Sequence, residues 1–254
     1  MGFRIAIQLW SVREECSRDL EATLRSLGRM GFEGVEFAGF YGREAGELRK
    51  ILEGVGLKAV SSHIPYVKLV GEEFHRTVEY ALELGLKSMI IPSLPKEMRS
   101  TRTSWIEFSN MLNALSDQMP SKGLRIGYHS HDYDFKAVGD LIPWHYLSRS
   151  TRRSVILQLD TANALMGGVE PSQLLDMARS LRERLHSVHV KDYTRRLGRQ
   201  TILGEGDVPW RDLLRILRHG GTEWLILEQE YYPSSPLDSV RASLKNLLNL
   251  LETL

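Results

Sequence analysis

Short apolar runs alternate with helical periods from one end of the chain to the other. The runs cover residues 4–9, 34–37, 58–63, 88–92, 124–129, 154–160, 185–190 and 223–228. All eight are short and rich in Val, Ile and Leu, which predicts eight strands. Between them apolar positions step by threes and fours. Leu20, Leu24, Leu27 and Met30 form one such stripe, and Val78, Ala81 and Leu82 begin another. Leu237, Val240, Leu244, Leu247, Leu248, Leu251 and Leu254 predict an amphipathic helix closing the chain. Gly28, Gly31, Gly54, Gly56 and Gly85 punctuate the returns from helix to strand.

Eight strand–helix units in 254 residues match the α/β class (β/α)8 TIM barrel in both count and length, as one domain over residues 1–254. The rival is a doubly wound open sheet, which opens with a glycine-rich phosphate loop after its first strand. Gln8-Leu9-Trp10-Ser11-Val12-Arg13 contains no glycine. Two segments depart from the regular unit. Residues 131–153 hold Pro143, and residues 192–208 are polar and basic with Gly204-Glu205-Gly206. Long strand-to-helix loops sit at the C-terminal mouth of a barrel, so both are candidate rims or lids.

Composition narrows the function classes. Lys and Arg number 33 against 32 Asp and Glu, a formal charge of +1. Such a chain has no global field to hold a polyanion, which argues against nucleic-acid or membrane-surface partners. Cys16 is the single cysteine. It forbids an intramolecular disulfide or a thiolate metal cage and suits a reducing cytoplasm. The opening apolar stretch is too short for a secretory signal, and no run approaches the ~18 apolar residues of a membrane span. The expectation is a cytoplasmic protein, with a homo-oligomer left open.

The candidate chemistry lies at the strand ends. In a barrel the last inward side chain of each strand faces the mouth. Strands five to eight end in His129, Asp160, His189 and Glu228. One His or Asp at a strand end is more often a structural group satisfying a backbone amide. Four on neighbouring strands, about 4.8 Å apart, can converge on one point. Two imidazoles and two carboxylates suit a borderline divalent ion such as Mn, Co, Zn, Fe or Ni. Parity places Gln158 beneath Asp160, Ser187 and Lys191 with His189, Glu230 with Glu228, and His131 with His129. The rest of the mouth offers Gln8 and Trp10 from strand one, Glu36 from strand two and His63 from strand three. That mixture suits a polyhydroxylated ligand, although packing around Trp10 with a Glu36 salt bridge explains it equally well. His75 and His219 fall in helical segments, His145 in a loop, and His186 has the wrong parity.

These strand ends resemble the sugar phosphate isomerase/epimerase family of xylose isomerase-like TIM barrels, which includes ketose 3-epimerases, hydroxypyruvate isomerases, inosose dehydratases and the endonuclease IV repair enzymes. The resemblance runs through Gln8-Leu9-Trp10-Ser11-Val12-Arg13, Gly34-Val35-Glu36-Phe37, Tyr128-His129-Ser130-His131-Asp132-Tyr133-Asp134-Phe135, Gln158-Leu159-Asp160-Thr161, His189-Val190-Lys191-Asp192, Gly204-Glu205-Gly206 with Trp210, and Leu227-Glu228. It implies one divalent ion (Mn, Co, Mg or Zn) held from strands five to eight, with Asp160, His189 and Glu228 as matching ligands. Two positions depart from the family pattern. His129 replaces the strand-five Glu, leaving His129 or His131 as the fourth ligand, and Asn163 stands where many members carry a His. The repair nucleases also need a strand-four histidine, which residues 88–93 lack.

The resemblance implies a divalent-metal-dependent sugar isomerase or epimerase that removes a proton next to a carbonyl and passes through a metal-stabilised enediolate. Glu228, His129 and His131 are the candidate bases. Gln8, Trp10, Glu36, His63 and Lys191 are candidate contacts to a carbohydrate or keto-sugar. The alternative is a lyase or dehydratase acting on keto-sugars, keto-inositols or 3-keto-glycosides by β-elimination. A non-catalytic sugar-binding barrel and an endonuclease IV-like nuclease are the remaining rivals.

Overall fold

The computed structural model describes residues 2–254. Eight parallel strands close into a barrel: β1 (Arg4–Gln8), β2 (Gly34–Phe37), β3 (Lys58–His63), β4 (Ser88–Ile91), β5 (Arg125–His129), β6 (Ile156–Asp160), β7 (Ser187–Val190) and β10 (Trp224–Leu227). Between β7 and β10 the strands β8 (Asp192–Thr194) and β9 (Arg199–Thr201) form an antiparallel hairpin outside the barrel. Neighbours around the barrel follow chain order, and β1 closes it against β10.

Helices cover the outside for the reason the periodicity gives. In the helix Leu20–Met30, Leu20, Leu24 and Leu27 are buried, and Asp19 caps it by accepting from Ala22 N. Its return to β2 turns at Gly31, φ 106°, a left-handed conformation that costs glycine nothing. The helix Glu73–Leu84 buries Val78, Ala81 and Leu84, while Leu82 faces solvent at 44% exposure. The stripe read from sequence is therefore rotated one position there.

Two apolar layers result. A large one lies between strands and helices, with Leu9, Leu24, Leu48, Trp105, Trp144 and Leu213 among its buried members. A small one, Ala6, Val60, Trp224 and Ile226, plugs the lower interior of the barrel. Gly127 lets this interior close, since a Cβ there would come within 2.6 Å of Ile90 Cδ1 and 2.8 Å of Ile156 O. Polar side chains occupy the space above the plug.

Residues 131–153 contain a short 3-10 turn, Asp132–Phe135, and a helix, Pro143–Ser150. His145 is therefore helical rather than in a loop, since Pro143 at the first position presets the helical φ. Residues 192–208, the second candidate rim or lid, contain the β8–β9 hairpin.

Candidate active site

Inward-facing polar residues form two layers above the apolar plug. The lower layer centres on Glu36, whose side chain is fully buried. Its carboxylate accepts from Gln8 Nε2 at 2.7 Å, Ser61 Oγ at 2.5 Å and Gln158 Nε2 at 2.8 Å. His189 Nε2 lies 2.6 Å from it and His63 Nε2 3.0 Å. Burial alone would raise the Glu36 carboxyl. The charges and hydrogen bonds of His63 and His189 instead hold it well below the usual carboxylate range.

This layer fixes the ring states of the layer above. Gln158 gives its amide hydrogens to Glu36 and to Ser187 Oγ, so its Oε1 accepts from His129 Nδ1 at 3.0 Å. With Nδ1 protonated, His129 turns its Nε2 lone pair towards Asp160 Oδ2, 4.0 Å away. Burial holds His129 well below the ordinary histidine range, so the ring is neutral. Asp160 Oδ1 accepts from Asn163 N at 2.8 Å and caps the helix Thr161–Met166. Asp160 Oδ2 is buried and has no hydrogen-bond partner.

One ligand atom each from His129, Asp160, His189 and Glu228 lie within 4.8 Å of one another. His63 joins His129 and His189 in a second such group, but its Nε2 is already against Gln158 and Glu36. His189 spans both layers, with Nδ1 3.1 Å from Glu228 Oε2 and Nε2 on Glu36. Its burial opposes a charge, yet the two carboxylates raise its pKa to about 10. Asp160 is raised too, to about 6, because burial penalises its charged form. Asp160 Oδ2 accepts no hydrogen bond and faces the His129 Nε2 lone pair, with the Lys191 ammonium 3.6 Å away, and a cation bound between the two would engage both lone pairs. The donor set of two nitrogens and two oxygens fits a divalent metal ion of borderline softness.

Lys191 borders the cluster. Its Nζ lies 3.2 Å from Glu228 Oε2 and 3.6 Å from Asp160 Oδ2, and it also contacts Glu230. Burial would discharge it, but these three carboxylates raise its pKa and keep it an ammonium. Glu228 is the mirror case. Burial would raise its carboxyl, and Lys191 with His189 holds it well below the normal range.

The mouth above is a cavity of about 770 Å³, with Trp10, His63, His129, His131, Lys191 and Glu228 among its lining residues. Trp10 is 44% exposed, donates from Nε1 to Glu230 Oε1 at 3.1 Å and carries Arg13 over its other side at 4.5 Å. His131 stacks on Tyr133, which in turn lies under Arg99. Burial lowers the His131 pKa to about 4, leaving a neutral ring at the cavity wall. The turn that presents it is tied by Asp134, which accepts from His131 N at 2.7 Å and from Tyr128 OH at 3.0 Å. Across the mouth, Asp192 gathers the loop behind the hairpin. It accepts from Gly204 N, Gly206 N, Val208 N and Trp210 Nε1, the last at 2.7 Å. A Cβ at Gly206 would lie 2.2 Å from Asp192 Oδ1, so only glycine allows this approach.

Residues 24–250 match the profile of the family described as "Xylose isomerase-like TIM barrel". The chain belongs to that family. Among curated proteins it is similar to inosose dehydratase of Clostridium botulinum (strain Alaska E43 / Type E3), 23% identical with 86% of this chain and 85% of the relative covered. It is also similar to the rhizopine catabolism protein MocC of Rhizobium meliloti, 23% identical over 91% of this chain and 81% of MocC. Among solved structures, a sugar phosphate isomerase/epimerase of Parabacteroides distasonis ATCC 8503 superposes with a TM-score of 0.82 at 21% identity, covering 97% of this chain and 98% of that one. That likeness establishes the shared fold.

Within this member of the family, the structure sorts the residues picked from sequence. His129, Asp160, His189 and Glu228 come together, and His63, His131, Lys191 and Trp10 line the same cavity. Gln8 and Glu36 do not line it. Contrary to the expected substrate contact, they are fully buried one layer lower, because β1 and β2 pair Gln8 with Glu36 below the mouth. Trp10 reaches the cavity by a different route from strand parity, since β1 ends at Gln8 and Trp10 sits in the 3-10 turn Leu9–Val12. Sequence reasoning gave no role to Asp134, or to Phe40 and Tyr80, which also line the cavity. No periodic signal links Phe40 to Tyr80, which meet where the loop after β2 packs on the helix Glu73–Leu84.

Proposed function

We propose that this protein is a divalent-metal-dependent enzyme that removes a proton next to a carbonyl of a carbohydrate-like substrate, as an isomerase or epimerase does. The observation that carries the reading is the convergence of His129, Asp160, His189 and Glu228, with Asp160 Oδ2 buried and accepting no hydrogen bond. These four residues would hold the ion, with His129 in the place of the family's strand-five Glu. A divalent ion bound there would polarise a carbonyl and acidify the neighbouring C–H.

The chain's own groups divide the remaining work. Glu228 lines the cavity as a carboxylate held ionised by Lys191 and His189, the form a base needs. His131, neutral and on the same cavity, is the second candidate base. Glu36 and Gln158 orient the rings of His189 and His129 from beneath, and Trp10 offers an apolar face to a sugar ring.

A second reading, β-elimination from a keto-inositol or keto-sugar, is favoured by one feature. Lys191 sits 3.2 Å from Glu228 as an ammonium, so a positive charge that could stabilise a departing oxygen stands beside the base. The similarity to inosose dehydratase points the same way.

Deuterium wash-in tests both. Metal-loaded protein incubated in heavy water with a panel of ketoses, inososes and 3-keto-glycosides is expected to exchange the hydrogen next to the carbonyl of its substrate. Exchange with retention of every oxygen supports isomerisation or epimerisation, and loss of water or an alcohol supports elimination. No exchange with any member of the panel overturns the proposal.

A further inference from the structure

The cavity is larger than the strand-end cluster requires. Its volume of about 770 Å³ falls in the ~300–1,000 Å³ range that encloses drug-sized ligands, more room than one sugar ring fills. Its two ends also differ in chemistry. The end over the cluster is polar, presenting His131, Asn163, Lys191, Glu228 and Glu230. The other end runs over Ala38, Phe40, Ile64, Pro65 and Tyr80.

The apolar end is built rather than incidental. Phe40 and Tyr80 stack with ring centroids 4.3 Å apart and planes tilted by 32°, and Phe37 backs Phe40 at 5.7 Å. The Tyr80 hydroxyl donates to Arg43 O at 2.6 Å, so the polar tip of that ring is committed to the backbone. Lys68 and Arg76 also line this end, and Glu73 pairs with both, at 2.7 and 3.2 Å. The carboxylate between them offsets the charge that would otherwise mark a phosphate site.

Building on the proposed carbonyl chemistry, we infer that the substrate is a polyhydroxylated ring bearing a ketone and joined to a planar apolar group, as in a keto aryl glycoside, rather than a free sugar. The ring with its hydroxyls lies at the polar end and the aromatic part on Phe40 and Tyr80. Each end rejects the other half. Sugar hydroxyls against Phe40 would lose hydrogen bonds, and an aromatic ring beside Lys191, Glu228 and Glu230 would satisfy none of their hydrogen-bonding groups.

Calorimetric binding to the Mn-loaded protein tests this without turnover, using 4-nitrophenyl β-D-glucopyranoside, methyl β-D-glucopyranoside and glucose 6-phosphate. The aryl glycoside should bind about tenfold tighter than the methyl glycoside, or better, from the added apolar burial and stacking. Tyr80→Ser should erase most of that ratio, and Phe40→Leu, which keeps apolar volume and so tolerates folding, should reduce it. Methyl glycoside affinity should be unchanged in both. The inference is overturned if the aryl glycoside binds no tighter than the methyl glycoside, binding by neither included. It is also overturned if glucose 6-phosphate is preferred in a manner lost in Arg76→Ala. An aryl preference without any proton exchange in the wash-in panel would sink the carbonyl chemistry and leave the aromatic subsite standing. Exchange without an aryl preference would do the reverse.

Discussion

His189 Nε2 lies 2.6 Å from Glu36 Oε1, and both side chains are fully buried. A ring so held keeps Nε2 protonated and presents Nδ1 towards Glu228 and the cluster. Groups behind a ligating imidazole typically tune metal affinity by 10–100-fold. Glu36→Gln should therefore weaken metal retention by about that factor, although Glu36 touches neither the cavity nor the ion. Equilibrium dialysis of wild type and variant checks it, and equal affinities would show that Glu36 is only a packing group.

Metal removal should act on stability as well as on turnover. A cation joining Asp160 and Glu228 binds the folded state alone, and an excess of about 100 times its Kd adds roughly 2.7 kcal/mol. Thermal melts in chelator and after restoring Mn, Co, Mg or Zn should show an upward shift with at least one ion, and turnover should follow the same order. Activity surviving exhaustive chelation would contradict the proposed chemistry.

Ligand and base should separate by mutation. Asp160→Asn or His189→Ala should lose metal first, with activity partly recovered at high metal concentration. Glu228→Gln keeps shape and an oxygen donor but not a basic carboxylate, so turnover should fall at least about 10²-fold at full occupancy. Occupancy must be measured in the same preparation. Near wild-type turnover by fully metallated Glu228→Gln would move the base to His131 or His129.

Asp134 should give the protein a pH-dependent stability term. Burial raises its pKa to about 8, against about 3.9 for an unfolded Asp. The folded state thus binds the proton more tightly, so this contribution is complete below about pH 4, declines as pH rises towards 8, and is flat beyond. In Asp134→Asn the slope between pH 4 and 8 should be less negative than in wild type. Identical slopes in urea titrations across that range would assign the ionisation elsewhere.

Asp192 should hold the hairpin side of the mouth. It is buried and accepts from four backbone or indole N–H groups behind the hairpin, besides its neighbour Tyr193 N. Asp192→Ala leaves those donors unpaired and should cost about 3 kcal/mol. Gly206→Ala should destabilise the same loop through its clash with Asp192. Limited proteolysis should then nick residues 195–207 well before the barrel, and protection equal to wild type would deny Asp192 this role.

The sequence by itself determined the barrel and which strand-end side chains face its interior. Strand and helix periods are local, so the eight runs located all eight barrel strands to within two residues at each end. Period-two alternation likewise set His129, Asp160, His189 and Glu228 facing inward at the mouth, with Gln158 and Ser187 a layer below. Tertiary structure alone decided what those positions touch. Glu36 pairs with a ring 153 residues away, and Gln158 with Glu36 across 122. Barrel closure and stagger set such contacts, and neither leaves a periodic trace in the chain. For the same reason Gln8 and Glu36 looked like mouth residues and proved to be the floor beneath it. Trp10 left the strand through a 3-10 turn, and the Phe40–Tyr80 wall arose where a loop meets a helix. Alternation fixes which way a side chain points, but only the closed barrel fixes what it meets.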